Sequence, residues 1–261
     1  MVNPNRLIGL LGIDKVLFLI YVYNIKIAFT QVVSHMEKEK KTVLIIDGCP
    51  LIGEAYKSII NSINKKDNYR LEINLSNCPY EGNEIINKIV EKEITLDLLI
   101  LELKFSLNTC KKNISGEDIA NYARKKLPNT KIIISTRSDD NFRIHSLFKT
   151  INPEGFILKR DLTSGEFKRA IYSIIDNDLY YSKSILKLLR KEVSSNLLID
   201  GIDRKILYEL SIGARMKDMP NYIPLSAASI EKRKRHLKKV FNVKDKGDRE
   251  LILMAKEKGF I

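Results

Sequence analysis

Between residues 41 and 177 the chain alternates short apolar runs with stretches of helical spacing, and that alternation limits the fold more than any other feature. Val43 to Ile46, Leu98 to Leu101, Ile132 to Ser135 and Phe156 to Leu158 are nearly unbroken Ile, Leu and Val, and an alternating strand lies near Arg70 to Leu75. Between them, Pro50 to Ile63 and Gly116 to Leu127 place apolar residues at helical intervals. A strand that reads as a continuous apolar run is covered on both faces, which a parallel sheet wrapped by crossover helices provides. The expectation is an α/β doubly wound, five-stranded parallel sheet.

In such sheets chemistry sits beyond the carboxyl ends of the strands. Those ends carry Asp47, Glu102, Thr136 and Lys159, which should converge. The segments IIDGCPLIGEAYKSI, LDLLILEL, IIISTRSDD and GFILKRDL resemble a receiver domain. The resemblance implies a flavodoxin-like strand order and a site in which two acids hold Mg²⁺, an Asp accepts a phosphoryl group, a Thr or Ser binds it and a Lys neutralises it. Two roles are altered, because Gly48 stands where the second acid would be and Glu102 where the acceptor Asp would be. Mg²⁺ requires oxygen ligands in near-octahedral geometry, so Gly48 should lower its affinity, and no cofactor is expected. Glu102 reaches about 1 Å further than Asp, enough to cost roughly 10²-fold in an in-line transfer. The domain therefore reads as a pseudo-receiver not phosphorylated in the usual way. Glu102 either supplies a permanent negative charge or only satisfies a buried Lys159. Phe156 matches the family's switch aromatic, although an aromatic there is also ordinary core.

The second informative segment is Ser226 to Phe241, whose apolar residues leave six Lys and Arg against one Glu. Taking 100° per residue from Ile230, residues Ala227, Leu237 and Phe241 fall within about 60° of it, while Ala228, Lys232, Arg235 and Lys239 lie opposite. One face can dock on a core and the other can enter a groove. Residues 203 to 261 hold 15 Lys and Arg and 8 Asp and Glu, a net of +7 out of the chain's +13. Such a concentration of positive charge points to polyanion. Ser226 is a good N-cap, and upstream Ile206, Leu207 and Leu210, then Met216, Met219 and Ile223, form two further helical stripes.

Helix, turn, basic helix, closed by DRELILMAKEKGFI, is similar to the DNA-binding domain of NarL/LuxR-type response regulators over residues 203 to 261. The resemblance implies a four-helix domain with its third helix in the major groove and Glu231, Lys232 and Arg235 at the base-reading positions. By charge and position, Lys217, Lys234, Lys238 and Lys239 are expected to contact phosphates, with Ser226, Ser229 and Arg233 completing the DNA-facing set. The closing helix, with Leu251, Ile252 and Ala255, resembles the family's dimerisation element. The chain departs from the family at Pro220, in the scaffold helix, and at Pro224, where a Gly is usual. Proline excludes a positive-φ turn, so the turn must close differently.

The domains read as an extension over 1 to 40, the pseudo-receiver over 41 to 177, a partly helical linker over 178 to 202 including Lys183 to Val193, and the helix-turn-helix domain over 203 to 261. Val16 to Tyr23 is apolar but too short to span a membrane, so residues 1 to 35 read as an over-called upstream extension with Met36 as the true start, and a membrane tether is the weaker alternative. Cys49, Cys78 and Cys110 are far apart, and neither a disulfide nor a metal framework is expected. No catalytic constellation is found, so an enzyme is not expected. The function implied is a cytoplasmic, dimeric, DNA-binding transcription regulator of the response-regulator type, with an upstream kinase or other protein as its input. The alternative is a phosphorelay or protein-binding signalling adaptor without sequence-specific DNA binding.

Overall fold

The computed structural model describes residues 40–67, 70–105, 114–193, 197 and 199–261. Expectations on residues 1–39, and on Cys110, lie outside them.

Six parallel strands form one sheet: β1 (Lys40–Ile46), β2 (Arg70–Ser76), β3 (Leu98–Leu101), β4 (Lys131–Thr136), β5 (Gly155–Leu158) and β6 (Tyr180–Tyr181). Their order is β2-β1-β3-β4-β5-β6. The five expected strands thus take the flavodoxin-like order, and the two-residue β6 extends the sheet beyond β5. Side chains alternate between faces with period two. Leu44, Ile46, Leu99, Leu101, Ile132, Ile134, Phe156 and Leu158 enter one core, and Val43, Ile45, Leu98, Ile100, Ile133 and Ile157 enter the other.

Helices α1 (Pro50–Asp67) and α5 (Ser164–Ile175) cover the second core through Tyr56, Ile60, Ile63, Phe167, Ile171 and Ile174. Helices α2 (Pro79–Glu91), α3 (Gly116–Lys126), α4 (Asn141–Thr150) and α6 (Lys183–Val193) cover the first. The starts of these helices are fixed locally. Ser115 and Asp118 form a reciprocal capping box at α3, Asp140 caps α4 and Thr163 caps α5, each satisfying amides that the first turn leaves without partners. The span expected as a linker contributes β6 and α6 to this unit, with Ile185 fully buried in its core. Cys78, just before α2, is disulfide-bonded while Cys49 is free. This corrects the expectation at Cys78: sequence separation does not measure distance in a folded chain.

The carboxyl-terminal unit has a separate core built from Ile206, Leu207, Met219, Ile223, Ile230, Leu237, Phe241, Leu251, Ala255 and Phe260. Its elements are α7 (Gly201–Ser211), a 3-10 turn over Met219–Asn221, α8 (Ala227–Val240) and α9 (Asp248–Glu257). The four α-helices implied by resemblance become three plus that turn. Pro220 stands at the start of the turn, where a missing amide proton costs nothing. At Pro224 the chain closes by a bond from the Leu225 amide to the Ile223 carbonyl, 2.7 Å, a three-residue turn needing no positive φ. Leu251 and Ala255 are fully buried in this unit's own core, which removes them as dimer contacts; Leu253 instead faces outward, 54% exposed.

The units touch where Phe142 of α4 stacks on Tyr208 of α7, ring centroids 4.6 Å apart, and where Asn141 Nδ2 donates to the Ile261 carbonyl at 3.1 Å. Among the described residues no helix is long and apolar enough to cross a membrane.

Candidate functional site

Parallel pairing in register aligns the strands' carboxyl ends, with Ile46 opposite Leu101, Leu101 opposite Ile134 and Thr136 opposite Leu158. Asp47, Glu102, Thr136 and Lys159 follow or end those strands at one end of the sheet, where Asp47, Glu102 and Lys159 meet, while the Thr136 hydroxyl accepts from the Ser138 amide instead. The Lys159 Nζ lies 2.6 Å from Asp47 Oδ2 and 2.6 Å from Glu102 Oε2. The three side chains are 7%, 2% and 5% exposed, so all three charges are held out of water. Each carboxylate spends its other oxygen on backbone. Asp47 Oδ1 accepts from the Cys49 amide at 2.9 Å, and Glu102 Oε1 accepts from Leu103 and Lys104 at 2.8 and 3.2 Å. The buried Thr136 accepts through Oγ1 from the Ser138 amide at 3.3 Å.

Two glycines shape this pocket. A Cβ on Gly48 would stand 3.0 Å from Phe105 Cδ1, so the Phe105 ring covers the place that a second acidic side chain would occupy. A Cβ on Gly116 would stand 2.2 Å from the Glu102 carbonyl oxygen, so only glycine lets α3 start against the end of β3. Phe156 is fully buried between the sheet and α4, where it stacks on Phe148 at 5.5 Å. Nothing in the sequence marked Phe105, which lies far from Gly48 along the chain.

Helix α8 begins at Ser226, whose Oγ accepts from the Ser229 amide at 3.3 Å. Ile230, Leu237 and Phe241 are buried, whereas Ala227, expected on the same face, is exposed in the first turn. The opposite face leaves Ala228, Ser229, Lys232, Arg235 and Lys239 exposed, joined by His236. Lys217, before the 3-10 turn, is exposed as well.

Three expected DNA contacts are instead engaged within the unit. Lys234 is 8% exposed and pairs with Asp248 at 3.1 Å and Glu231 at 3.2 Å. Lys238 reaches Asp248 at 2.7 Å and the Lys246 carbonyl at 3.0 Å. Arg233 grips Asp200 at 2.7 Å and Asp203 at 2.8 Å, tying α8 to the amino end of α7. Burial alone would raise the Asp248 carboxyl, but hydrogen bonds from Lys238 and Lys234 outweigh it and hold it below the usual carboxylate range. Burial would likewise lower the Lys234 ammonium, and its bonds to Asp248 and Glu231 hold it above the ordinary lysine value. The signal was present in the sequence: Lys234 follows Ile230 by four residues and therefore shares its buried face. Glu231 spends its charge on Lys234 rather than standing alone beside a groove.

No protein-family model matches the chain, and no curated protein does. Solved structures are similar. One is the structure of two RcsB dimers bound to two parallel DNAs, at 16% identity, covering 84% of this chain and 98% of that one with a TM-score of 0.52. Another is RcsB from Salmonella enterica serovar Typhimurium bound to promoter P1flhDC with the phosphomimetic BeF₃⁻, at 17% identity, 83% and 98% coverage and a TM-score of 0.52. A third is the Salmonella typhimurium RcsB response regulator, at 15% identity, 84% and 100% coverage and a TM-score of 0.50. The chain therefore carries the fold of a response regulator, a receiver-type α/β unit followed by a helical unit with a basic helix.

Proposed function

We propose that the protein is a DNA-binding transcription regulator in which α8 enters the major groove and the receiver-type unit serves as a pseudo-receiver. The observation that carries this reading is the division of α8 into a seated apolar face and an exposed face bearing Lys232, Arg235 and Lys239. The likeness in fold to RcsB, which is described bound to promoter DNA, supports duplex DNA as the partner. Lys232 and Arg235 read base edges, Arg235 through a bidentate fork, while Lys239 and Lys217 contact phosphates. Ser229 and His236 flank them. Arg233, Lys234, Lys238 and the cap Ser226 hold the helix in place. Two copies pair through the outer side of α9, where Leu253 is exposed. The expected dimer has its support in RcsB, whose DNA-bound form is described as dimers.

The receiver-type site does not fit Mg²⁺. Its two carboxylates are already bridged by the Lys159 ammonium, Gly48 offers no side-chain oxygen and Phe105 covers the place of one. The cation that would neutralise a phosphoryl group is instead locked to Glu102, a charge arrangement that needs no kinase. Another protein or ligand supplies the input.

Selection from a pool of random duplexes, with sequencing of the retained fraction at two salt concentrations, tests the DNA reading. A defined motif is expected, and retention without sequence preference would overturn it. Incubation with acetyl phosphate and Mg²⁺ tests the pseudo-receiver; stable label on Glu102 would refute it.

A further inference from the structure

The strand added at the sheet edge, β6, is followed by a helix with two unlike faces. Ile185 of α6 is fully buried, and Leu188 and Leu189 pack against the same core. On the other side Lys183, Leu186, Lys187 and Arg190 are exposed, Leu186 at 53%. Their spacing sets them on one stripe about 10 Å long. Across a groove of about 450 Å³ this stripe faces Tyr180, Tyr181 and Arg169.

The groove has one carboxylate, Glu166, and it is already spent: the Tyr180 hydroxyl donates to it and Arg169 pairs with it. Lys183, Lys187 and Arg190 meet no carboxylate among the described residues. Three uncompensated cations therefore rim a groove lined by Tyr180, whose ring lies on the α5 side of the sheet, and a leucine, while the Tyr181 ring turns to the other face against Phe148. Packing alone gives no reason for this arrangement, because like charges gathered on one stripe repel and an exposed leucine gains nothing from water. The volume falls within the range of small-ligand sites.

We propose that this groove binds a nucleotide-class ligand. Its base lies against Tyr180 and Leu186, and its phosphates meet Lys183, Lys187 and Arg190. An arginine fork and two lysine point charges suit phosphate oxygens, and an aromatic floor suits a flat base. The same helix reaches the carboxyl-terminal unit, where Lys191 Nζ donates to the Lys256 carbonyl at 3.5 Å. A ligand that clamps α6 to α5 therefore acts on the element that braces the two units. The binding site itself does not depend on the DNA-binding reading, since it shares no residue with the exposed face of α8.

The test uses the full chain and fluorescence anisotropy with N-methylanthraniloyl ADP and GDP in magnesium-free buffer, with pyrophosphate and unlabelled ADP as competitors. Saturable binding in the micromolar range is expected, weakened about tenfold or more by the pair Lys187→Ala and Arg190→Ala. Leu186→Ala should weaken the nucleotide while leaving pyrophosphate competition unchanged. The pair Lys232→Ala and Lys239→Ala on α8 should leave nucleotide affinity as it is while lowering retention of duplex DNA. Circular dichroism of each variant checks that these exposed substitutions leave the fold intact. Absence of saturable binding below about 1 mM would overturn the proposal. So would an equal loss from the α8 pair, or pyrophosphate displacing the probe as well as ADP does, which reduces the groove to a bare anion patch. A loss of DNA retention without loss of nucleotide binding in the α6 pair would reassign the stripe to DNA phosphates.

Discussion

Replacing Lys159 with Met tests whether the triad is a structural ion cluster. Each 2.6 Å contact corresponds to roughly 6 kcal/mol of Coulomb attraction at an effective dielectric constant of about 20, most of it offset by the cost of desolvating the charges. Removing the cation cancels the attraction but leaves Asp47 and Glu102 buried, so the net loss is the cost of uncompensated charge, about 3–5 kcal/mol. Urea unfolding at pH 7, followed by tryptophan-independent far-ultraviolet circular dichroism because the chain has no Trp, reads that loss as a shift in midpoint. Adding Glu102→Gln to Lys159→Met should recover part of the loss, since one buried charge is then removed. A midpoint shift equivalent to less than about 1 kcal/mol, with no recovery on adding Glu102→Gln, would show that the three groups are not held out of water and would refute the reasoning.

Gly116→Ala should destabilise the receiver-type unit by about 1–3 kcal/mol, because its Cβ meets the Glu102 carbonyl at 2.2 Å, and thermal melting reads this directly. If the melting temperature stays put, the approach of α3 to β3 is looser than described. The carboxyl of Asp248 is held low in the folded unit. Its contribution is therefore complete above the unfolded value of about 3.9 and is lost as pH falls through the folded one, and Asp248→Asn should flatten the acid limb of a stability-against-pH curve. Arg233→Ala should cost no more than about 1 kcal/mol, given a side chain 35% exposed, yet weaken binding to every duplex alike by loosening α8 from α7. Arg235→Ala should instead relax preference at one base position and Lys239→Ala should lower the salt slope by about one, both read by fluorescence anisotropy on matched and mutated duplexes; equal losses on all probes from both would refute that division.

The local periods of this chain are legible without coordinates. Unbroken apolar runs gave the four buried strands, a 100° repeat placed Ile230, Leu237 and Phe241 inward, and Ser226 marked the start of the basic helix. The parallel topology also located the site, since the carboxyl ends of neighbouring strands must lie side by side. Such features depend on backbone geometry over a few residues, which any window of sequence carries. Which charges are satisfied depends on groups far apart along the chain. Lys159 meets Asp47 across 112 positions, and Phe105 covers Gly48 only because β1 and β3 are neighbours in the sheet. Lys234 and Lys238 turned from expected DNA contacts into partners of Asp248 because the turn after α8 brings the first residue of α9 back against them. Likewise β6 was hidden because two tyrosines carry too short a pattern to announce a strand, and only the free edge of β5 gave them a partner. Sequence set the elements and their inward faces, while tertiary packing chose the ion pairs and hence which cations remain available to a ligand, because an ion pair is fixed by proximity in space and not by order along the chain.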